Sequence, residues 1–190
     1  MCGWRDVKGK IVMKRKLLLL LLLMSAVVGS GATYFEDDGI RYVLNADGTS
    51  VSVASKSGGY SGEVTIPASV TYSSKEYAVT TIRSMAFSNS SALTNVILPS
   101  SVVKIEGSAF YQCTSLTSIN LSTVKEIGEY AFYYCTSLTT VTLGEELTSI
   151  GNHAFNHCPI SILDIPASVE TIGNSAFLQQ KWHANLAYPT

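Results

Sequence analysis

The sequence carries little charge and none of the common catalytic signatures. Asp, Glu, Lys and Arg make up only 14% of its 190 residues. It contains no G-x-S-x-G nucleophile elbow, no H-E-x-x-H zinc motif and no glycine-rich phosphate loop. Each of these motifs places a nucleophile, a metal or a phosphate cradle on a defined turn or helix, so its absence removes that route to catalysis. We therefore expect no enzymatic activity and no cofactor.

Basic residues are scarce in most of the chain. Thirteen Lys and Arg residues nearly balance fourteen acidic ones overall, but six of the basic residues precede residue 33. From residue 33 onward seven basic and thirteen acidic residues remain, which is a net charge of −6. Nucleic acids and anionic lipid surfaces attract proteins through clustered Lys and Arg. The charge balance therefore argues against nucleic acid as a partner.

The long apolar run near the start of the chain is too short to span a bilayer. Three basic residues (14–16) are followed by twelve apolar or small residues (17–28), whereas a transmembrane helix needs about 20. A basic start, a short apolar centre and small residues after it are typical of a secretory signal peptide. We predict that residues 1–32 are this leader, with Met13 as an alternative start. The protein is then expected to be secreted or held at the cell surface, without a membrane span once the leader is removed.

The body of the chain repeats one unit of 22 or 23 residues. An Ala-Phe pair recurs at this spacing, an Ile lies five residues before each Phe, and an L-x-x-I-x-L segment follows the first four pairs. The pairs are Ala86-Phe87, Ala109-Phe110, Ala131-Phe132, Ala154-Phe155 and Ala176-Phe177. A single unit cannot bury its apolar positions, whereas stacked copies cover one another. The repeat therefore predicts a solenoid over residues 61–190, with about four full units flanked by partial ones.

The two halves of each unit predict different local structures. The L-x-x-I-x-L half is rich in Thr, Val and Ile, which favours a short strand, and copies in register would pair as a parallel sheet. The I-G-x-x-A-F-x-x-C half has Gly and small residues, which suits a tight turn or a short helix that returns the chain. We expect a mainly β solenoid with one parallel strand per repeat and turn or short helical returns.

These residues resemble a known repeat family. The L-x-x-I-x-L segment at this period resembles a leucine-rich repeat, and the longer pattern I-x-x-x-A-F-x-x-C-x-x-L-x-x-I-x-L-P resembles the BspA-like subclass over residues 62–189. The resemblance implies a secreted or cell-surface binding protein, with adhesion to host proteins or other cells as the expected function. The alternative is a non-binding repeat scaffold or a truncated fragment of a longer surface repeat protein, since the repeat after Phe177 is degenerate.

A β-hairpin is predicted before the first repeat. Asp47-Gly48 is a strong turn signal, and alternating apolar residues flank it between residues 39 and 53. We expect residues 33–60 to form a hairpin cap over the first repeat, and the resembled family also tends to begin in this way. A second, polar turn is expected at residues 72–77, between two short strands.

Three cysteines occupy one repeat position. Cys113, Cys135 and Cys158 each follow the Phe of their repeat by three residues. As small buried hydrophobes they would form a ladder inside the solenoid. A disulfide between neighbouring repeats is the alternative in an exported protein, and the odd number would leave one thiol free in any case.

Two histidines lie close to the last of these cysteines. His153 and His157 are four residues apart, the spacing of two zinc ligands on one helix face, and Cys158 follows them. However, the two histidines replace Tyr130 and Tyr134 of the preceding repeat, so we interpret their positions as variable and exposed. A tetrahedral zinc site also needs four ligands. We expect no bound metal.

The outward side of the predicted strands is the candidate binding surface. Between its inward apolar anchors it carries Thr, Ser and Asn and one charged residue. The candidate ligand-binding residues are Thr94, Asn95, Thr117, Ser118, Asn120, Thr139, Thr140, Thr142, Ser161 and Asp164. Solenoids often bind through such extended surfaces, although residues with good β-propensity also suit a strand that binds nothing. The expected partner is a protein or glycan at the cell surface or in the host matrix.

A competing candidate surface lies on the turn side of the repeats. Tyr111, Tyr133 and Tyr134 are predicted there. Because Tyr is enriched at protein interfaces, this side could bind a partner in place of the strand face.

Overall fold

The computed structural model describes residues 31–161 and 163–178. Regular structure in these ranges consists of strands joined by turns, so the returns are turns and not helices. Accordingly, no helix there is long and apolar enough to cross a membrane. The strands are β1 (Tyr34–Asp37), β2 (Ile40–Leu44), β3 (Ser50–Ala54), β4 (Gly62–Thr65), β5 (Ser69–Tyr72), β6 (Lys75–Ile82), β7 (Leu93–Ile97), β8 (Lys104–Ile105), β9 (Ser118–Leu121), β10 (Glu126–Ile127), β11 (Thr140–Leu143), β12 (Ser149–Ile150) and β13 (Thr171–Ile172). The predicted leader up to residue 30, and the degenerate repeat beyond residue 178, lie outside the described residues.

The L-x-x-I-x-L segments form a four-stranded parallel sheet in the order β11-β9-β7-β4. Its register aligns equivalent repeat positions, so that Val96, Ile119 and Val141 are neighbours and all three are buried. The predicted parallel strand is thus confirmed for three successive full repeats. The fourth copy, residues 160–165, shows no strand where it is described. Pro159 alone separates Cys158 from this copy, one residue fewer than in the earlier repeats, and proline has no backbone N–H to donate.

The Ile positions of the repeats form a second sheet, which the sequence pattern did not predict. This nine-stranded sheet has the order β1-β2-β3-β6-β8-β10-β12-β13, with β5 also paired to β6. From β8 onward each strand has two residues, and parallel pairing aligns Ile105, Ile127, Ile150 and Ile172. The first three of these side chains are at most 2% exposed. The part of the unit interpreted as a return therefore begins with a core-facing strand.

The N-terminal cap is a hairpin that is continuous with the nine-stranded sheet. β2 and β3 pair antiparallel, and β1 adds a third antiparallel strand beside β2. At the turn Gly48 has a φ of 66°, and the Asp47 carboxylate accepts hydrogen bonds from the backbone N–H groups of Thr49 and Ser50. Hydrogen bonds to this carboxylate, first of all from the Ser50 hydroxyl, lower the pKa of Asp47 to about 2. β3 pairs in parallel with β6, so the cap extends the sheet of the solenoid.

The segment between the cap and the first full repeat also follows the sequence pattern. Val64 of β4 pairs with Val96 of β7, as expected for the tail of an incomplete first unit. β5 and β6 are antiparallel and are joined at Ser73 and Ser74, both of which have positive φ. This is the polar turn predicted at residues 72–77.

A ladder of phenylalanines runs through the core between the two sheets. Phe87, Phe110, Phe132, Phe155 and Phe177 stack in this order, with ring centroids 4.8, 4.9, 5.1 and 5.6 Å apart. Neighbouring rings are within 5° of parallel. Because each ring packs on the ring of the next repeat, the Ala-Phe pairs form one continuous stack through the core.

Candidate functional site

Three neighbouring strands place five of the ten candidate residues on one face of the four-stranded sheet. These are Asn95 on β7, Ser118 and Asn120 on β9, and Thr140 and Thr142 on β11. Thr94, Thr117 and Thr139 each come directly before the first of these residues in their repeat, so strand alternation does not place them on the same face. The register aligns Asn95 with Ser118 and Thr140 in one row, and Asn120 with Thr142 in another. Since successive side chains of a strand point to opposite faces, these rows face away from the buried positions between them. We call this surface the strand face.

The remaining two candidates, Ser161 and Asp164, lie outside the strands. Both are exposed, and the backbone N–H of Ser161 donates to the carbonyl oxygen of Thr139 at 3.4 Å. The prediction that they belong to a fourth strand of this sheet is wrong. Instead, β4 supplies the fourth strand at the opposite edge.

The sequence interpretation missed the residues that β4 contributes. Glu63 pairs with Asn95 in the register and Thr65 pairs with Ile97, so β4 adds an acidic and a hydroxyl side chain to the face. The Glu63 carboxylate accepts a hydrogen bond from the Asn95 amide at 3.0 Å. The match of Val64, Ile66 and Pro67 to the later repeats was the signal that could have found them. The one charge expected on the face was Asp164, which lies outside the strands, whereas Glu63 lies on the face.

The strand face contains a shallow, open depression of about 370 Å³. It is lined by Asn95, Val96, Ile97, Leu98, Ser118, Ile119, Asn120, Thr140 and Thr142. Ile97 is 46% exposed within this polar surrounding, so it offers an apolar contact beside amides and hydroxyls. Such a surface can exchange hydrogen bonds with a partner and bury one aliphatic side chain. It is not an enclosed pocket of the kind that surrounds a small molecule.

The turn side carries a continuous aromatic cluster. We define the turn-side aromatic cluster as Tyr111, Tyr130, Tyr133, Tyr134, His153 and His157. Its rings meet in pairs across neighbouring repeats: Tyr111 stacks on Tyr133 at 5.4 Å and Tyr130 stacks on His153 at 4.9 Å, whereas Tyr134 is tilted against His157 at 4.2 Å. Tyr133 also meets the ring edges of Tyr130 and His157 at 5.4 and 5.6 Å. The competing surface predicted from three tyrosines is therefore larger than expected and includes both histidines.

The two histidines take part in ring contacts. Both are half-buried, whereas Tyr130 and Tyr134 are 37% and 38% exposed, so the expectation of exposed positions holds for the tyrosines but not for the histidines. The Nδ1 atom of His153 lies 3.0 Å from the amide nitrogen of Asn156. Across residues 31–161 and 163–178 no three His, Cys, Asp or Glu side chains are grouped so that they could hold a metal ion.

The three cysteines of the repeat position are buried and free. Each thiol donates to the carbonyl oxygen of the Phe in the preceding repeat: Cys113 to Phe87 at 3.0 Å and Cys135 to Phe110 at 3.1 Å, with Cys158 in the same arrangement. Burial raises the pKa of the Cys135 thiol well above its ordinary value. The cysteines therefore act as small core residues that also donate to a backbone carbonyl of the preceding repeat.

This burial predicts that the thiols are protected from alkylation in the folded protein. The thiolate is the reactive species, and a raised pKa makes it scarcer at any given pH. We expect iodoacetamide at pH 8 to modify Cys113, Cys135 and Cys158 at least about 100-fold more slowly in the native protein than in urea-unfolded protein. Peptide mass spectrometry over time measures both rates. Equal rates in the two states would contradict the buried ladder.

A family model identifies the repeat, and solved structures share its fold. The model for the BspA type leucine-rich repeat region, with six copies, matches residues 63–182. No curated relative matches the chain.

Three solved structures show the similarity. A leucine-rich repeat protein from Bacteroides ovatus is 33% identical, with a TM-score of 0.69 over 75% of this chain and 38% of its own. The leucine-rich repeat protein of T. pallidum is 30% identical, with a TM-score of 0.67 over 75% and 65%. A structure described as a leucine-rich cell surface protein from Faecalibacterium prausnitzii is 28% identical, with a TM-score of 0.51 over 78% and 52%. This chain thus spans less than two thirds of the length of each of these proteins. From its repeats, its two-sheet solenoid and these matches, the chain belongs to the BspA-type leucine-rich repeat family.

Proposed function

We propose that the protein is exported and acts at the cell surface as a binding protein that adheres to a protein or glycan partner. The observation that carries this proposal is the strand face, a continuous and nearly uncharged polar surface across four neighbouring strands. Family membership, the cell-surface description of the Faecalibacterium prausnitzii protein and the leader predicted for residues 1–32 support it.

The composition of the strand face limits the strength of such binding. Ser and Thr rarely dominate the binding energy of an interface, and four short strands offer a small area, so we expect an affinity on the order of micromolar. Two side chains are the best-placed anchors. Ile97 is exposed and apolar. The side-chain oxygen of Asn120 accepts from the backbone N–H of Ser122, which leaves the amide hydrogens of Asn120 to donate to a partner. Salt should change the affinity little, since Glu63 and Asp164 are the charges near the face.

Thr140→Arg tests the site directly. Thr140 lies in the middle row of the strand face and is exposed, so a long cationic side chain there would block close approach of a partner. We expect binding to immobilised host matrix proteins, measured by surface plasmon resonance, to weaken at least about tenfold. Thr171→Arg is the matched control, because Thr171 is exposed on β13 of the other sheet, and it should bind like the original protein.

Two outcomes would contradict the proposal. Binding that survives Thr140→Arg but is lost in Tyr133→Ala would move the site to the turn side. Absence of binding across a panel of matrix proteins and surface glycans would favour the alternative, a repeat scaffold without a binding role of its own.

A further inference from the structure

The strand face combines one exposed aliphatic side chain with one carboxylate. Two rows of outward side chains cross it. They are Glu63, Asn95, Ser118 and Thr140, and beside them Thr65, Ile97, Asn120 and Thr142. Glu63 is exposed, Ile97 is 46% exposed, and the other six are Thr, Ser or Asn. Since Thr or Asn occupies the same place on the neighbouring strands, the sheet itself does not require an aliphatic side chain at residue 97.

The distance between these two side chains matches an extended polypeptide. Glu63 of β4 pairs with Asn95 of β7, and Ile97 lies two residues further along β7. A strand spacing of about 4.8 Å and a rise of about 3.3 Å per residue place the two positions roughly 8 Å apart. In an extended segment, side chains two residues apart point to the same side and lie roughly 7 Å apart. One such segment can therefore contact Ile97 with one side chain and reach Glu63 with a long second one.

The polar groups around Ile97 suit a peptide. The Asn95 amide donates to one carboxylate oxygen of Glu63 at 3.0 Å, which holds this carboxylate on the face and leaves its other oxygen for a partner. The amide hydrogens of Asn120 can donate to a peptide carbonyl, because the side-chain oxygen of Asn120 accepts from Ser122. A carboxylate oxygen favours the cation of a Lys or Arg, and exposed aliphatic surface favours an aliphatic side chain.

A glycan is a poorer match for this surface. Sugar rings usually pack their C–H faces on aromatic side chains, and none of the residues that line the depression is aromatic. Acidic sugars would also be repelled by the Glu63 carboxylate. The negative charge of Glu63, and of residues 33–190 as a whole, instead favours a cationic partner.

We propose that the partner of the strand face is a protein, and that its contact segment is extended and carries an aliphatic residue and a Lys or Arg two positions apart. The aliphatic side chain covers Ile97, and the cation pairs with Glu63. This inference rests on the proposed function, since it names the partner chemistry of the same site. An exposed ion pair adds little affinity, so Glu63 decides which partner is selected more than how tightly it is held.

Disulfide-closed β-hairpin peptides of equal length test this pattern. One outward strand carries Leu-Thr-Lys in the first peptide, Leu-Thr-Glu in the second and Ser-Thr-Lys in the third, and the closed hairpin holds all three extended. In fluorescence anisotropy titrations with the full chain, we expect the first peptide to bind about threefold more tightly than the second and at least about fivefold more tightly than the third.

Variants of the protein then locate the two contacts. Ile97→Thr, which introduces the residue found at positions 65 and 142, should weaken Leu-Thr-Lys binding at least about fivefold. Glu63→Lys should reverse the preference, so that the Leu-Thr-Glu hairpin binds more tightly than the Leu-Thr-Lys hairpin. Glu170→Lys is the matched control, because it makes the same charge change at an exposed residue directly before β13 of the other sheet, and it should keep the original preference. If circular dichroism shows that Glu63→Lys is not folded, Glu63→Gln replaces it and should bind both Leu-containing hairpins equally.

Equal binding of the three hairpins, or no binding of any, would overturn the inference, as would an unchanged preference in Glu63→Lys. Thr140→Arg tests the proposed function separately. Loss of matrix-protein binding in that variant, with unchanged binding in Ile97→Thr and Glu63→Lys, would keep the strand face as the site and refute the partner pattern. Binding of a neutral oligosaccharide that Thr140→Arg abolishes, without binding of any hairpin, would identify a glycan as the partner instead.

Discussion

Phe132→Ala should lower the free energy of unfolding by about 3–5 kcal/mol. The Phe132 ring is fully buried and stacks on Phe110 and Phe155 at 4.9 and 5.1 Å, in the middle of the phenylalanine ladder. Its loss removes apolar contacts with two repeats at once. The backbone ladders and sheets on both sides hold the neighbouring repeats in place, so the cavity cannot easily collapse. Urea denaturation followed by circular dichroism measures the change.

Thr140→Ala is the reference for this experiment. Thr140 is exposed on β11, and a surface substitution away from caps and core should stay within about 0.5 kcal/mol. Similar unfolding midpoints for the two variants would show that Phe132 does not occupy the core position that the repeat register gives it.

Gly144→Ala should destabilise the protein by about 3 kcal/mol or more, at the upper end of the overpacking range. A Cβ atom on Gly144 would lie 1.9 Å from the carbonyl oxygen of Ser122 and 2.4 Å from its carbonyl carbon. Both are backbone atoms of the preceding repeat, so no side chain can rotate away to make room. The turn after Leu121 is one residue shorter than the turn after Leu143, and Gly144 lies directly against this shorter turn.

Gly107→Ala is the matched control for Gly144→Ala. A Cβ atom on Gly107 would have the carbonyl oxygen of Glu129 as its close neighbour, at 3.3 Å, which a small shift relieves. We expect a loss below about 1 kcal/mol in the same denaturation experiment. If Gly144→Ala were as mild as Gly107→Ala, the two repeats would not be in backbone contact at Gly144.

The sequence predicted the parts of the fold that side-chain periodicity controls. The Phe, Cys and L-x-x-I-x-L positions recur at fixed spacing because each must contact its own copy in the next repeat. That requirement is visible in one sequence without any relatives. The turn at Asp47-Gly48 was predictable for another reason, since its chemistry is local.

The second sheet and the left-handed turns could not be predicted in the same way. A strand of two residues, such as Lys104–Ile105, is too short to show an alternating pattern. Tyr130 and His153 occupy left-handed positions that Gly or Asn usually mark, so no turn signal identified them. Both features depend on backbone hydrogen bonds between repeats, which leave little trace in side-chain identity.

The candidate site was predicted correctly in the repeats whose L-x-x-I-x-L segment forms a strand, and incorrectly in the repeat whose segment does not. Asn95, Ser118 and Thr140 share one row because three successive repeats form strands in register. Ser161 still donates to the carbonyl oxygen of Thr139, but no strand follows it in the described part of its segment. At Pro159 the connection into the fourth copy is one residue shorter than in the earlier repeats. The side-chain pattern does not reveal how this affects backbone pairing.

The N-terminal strands also protect the protein from polymerisation. An unpaired sheet edge can recruit the edge strand of another molecule, and charge or proline there discourages it. β1 forms the outer edge of the nine-stranded sheet and carries exposed Glu36 and Asp37. β4 forms the edge of the other sheet, where Glu63 is exposed and Pro67 follows shortly after the strand. Two copies meeting at these edges would bring carboxylates together, so the acidic start of the solenoid disfavours fibre growth from this end.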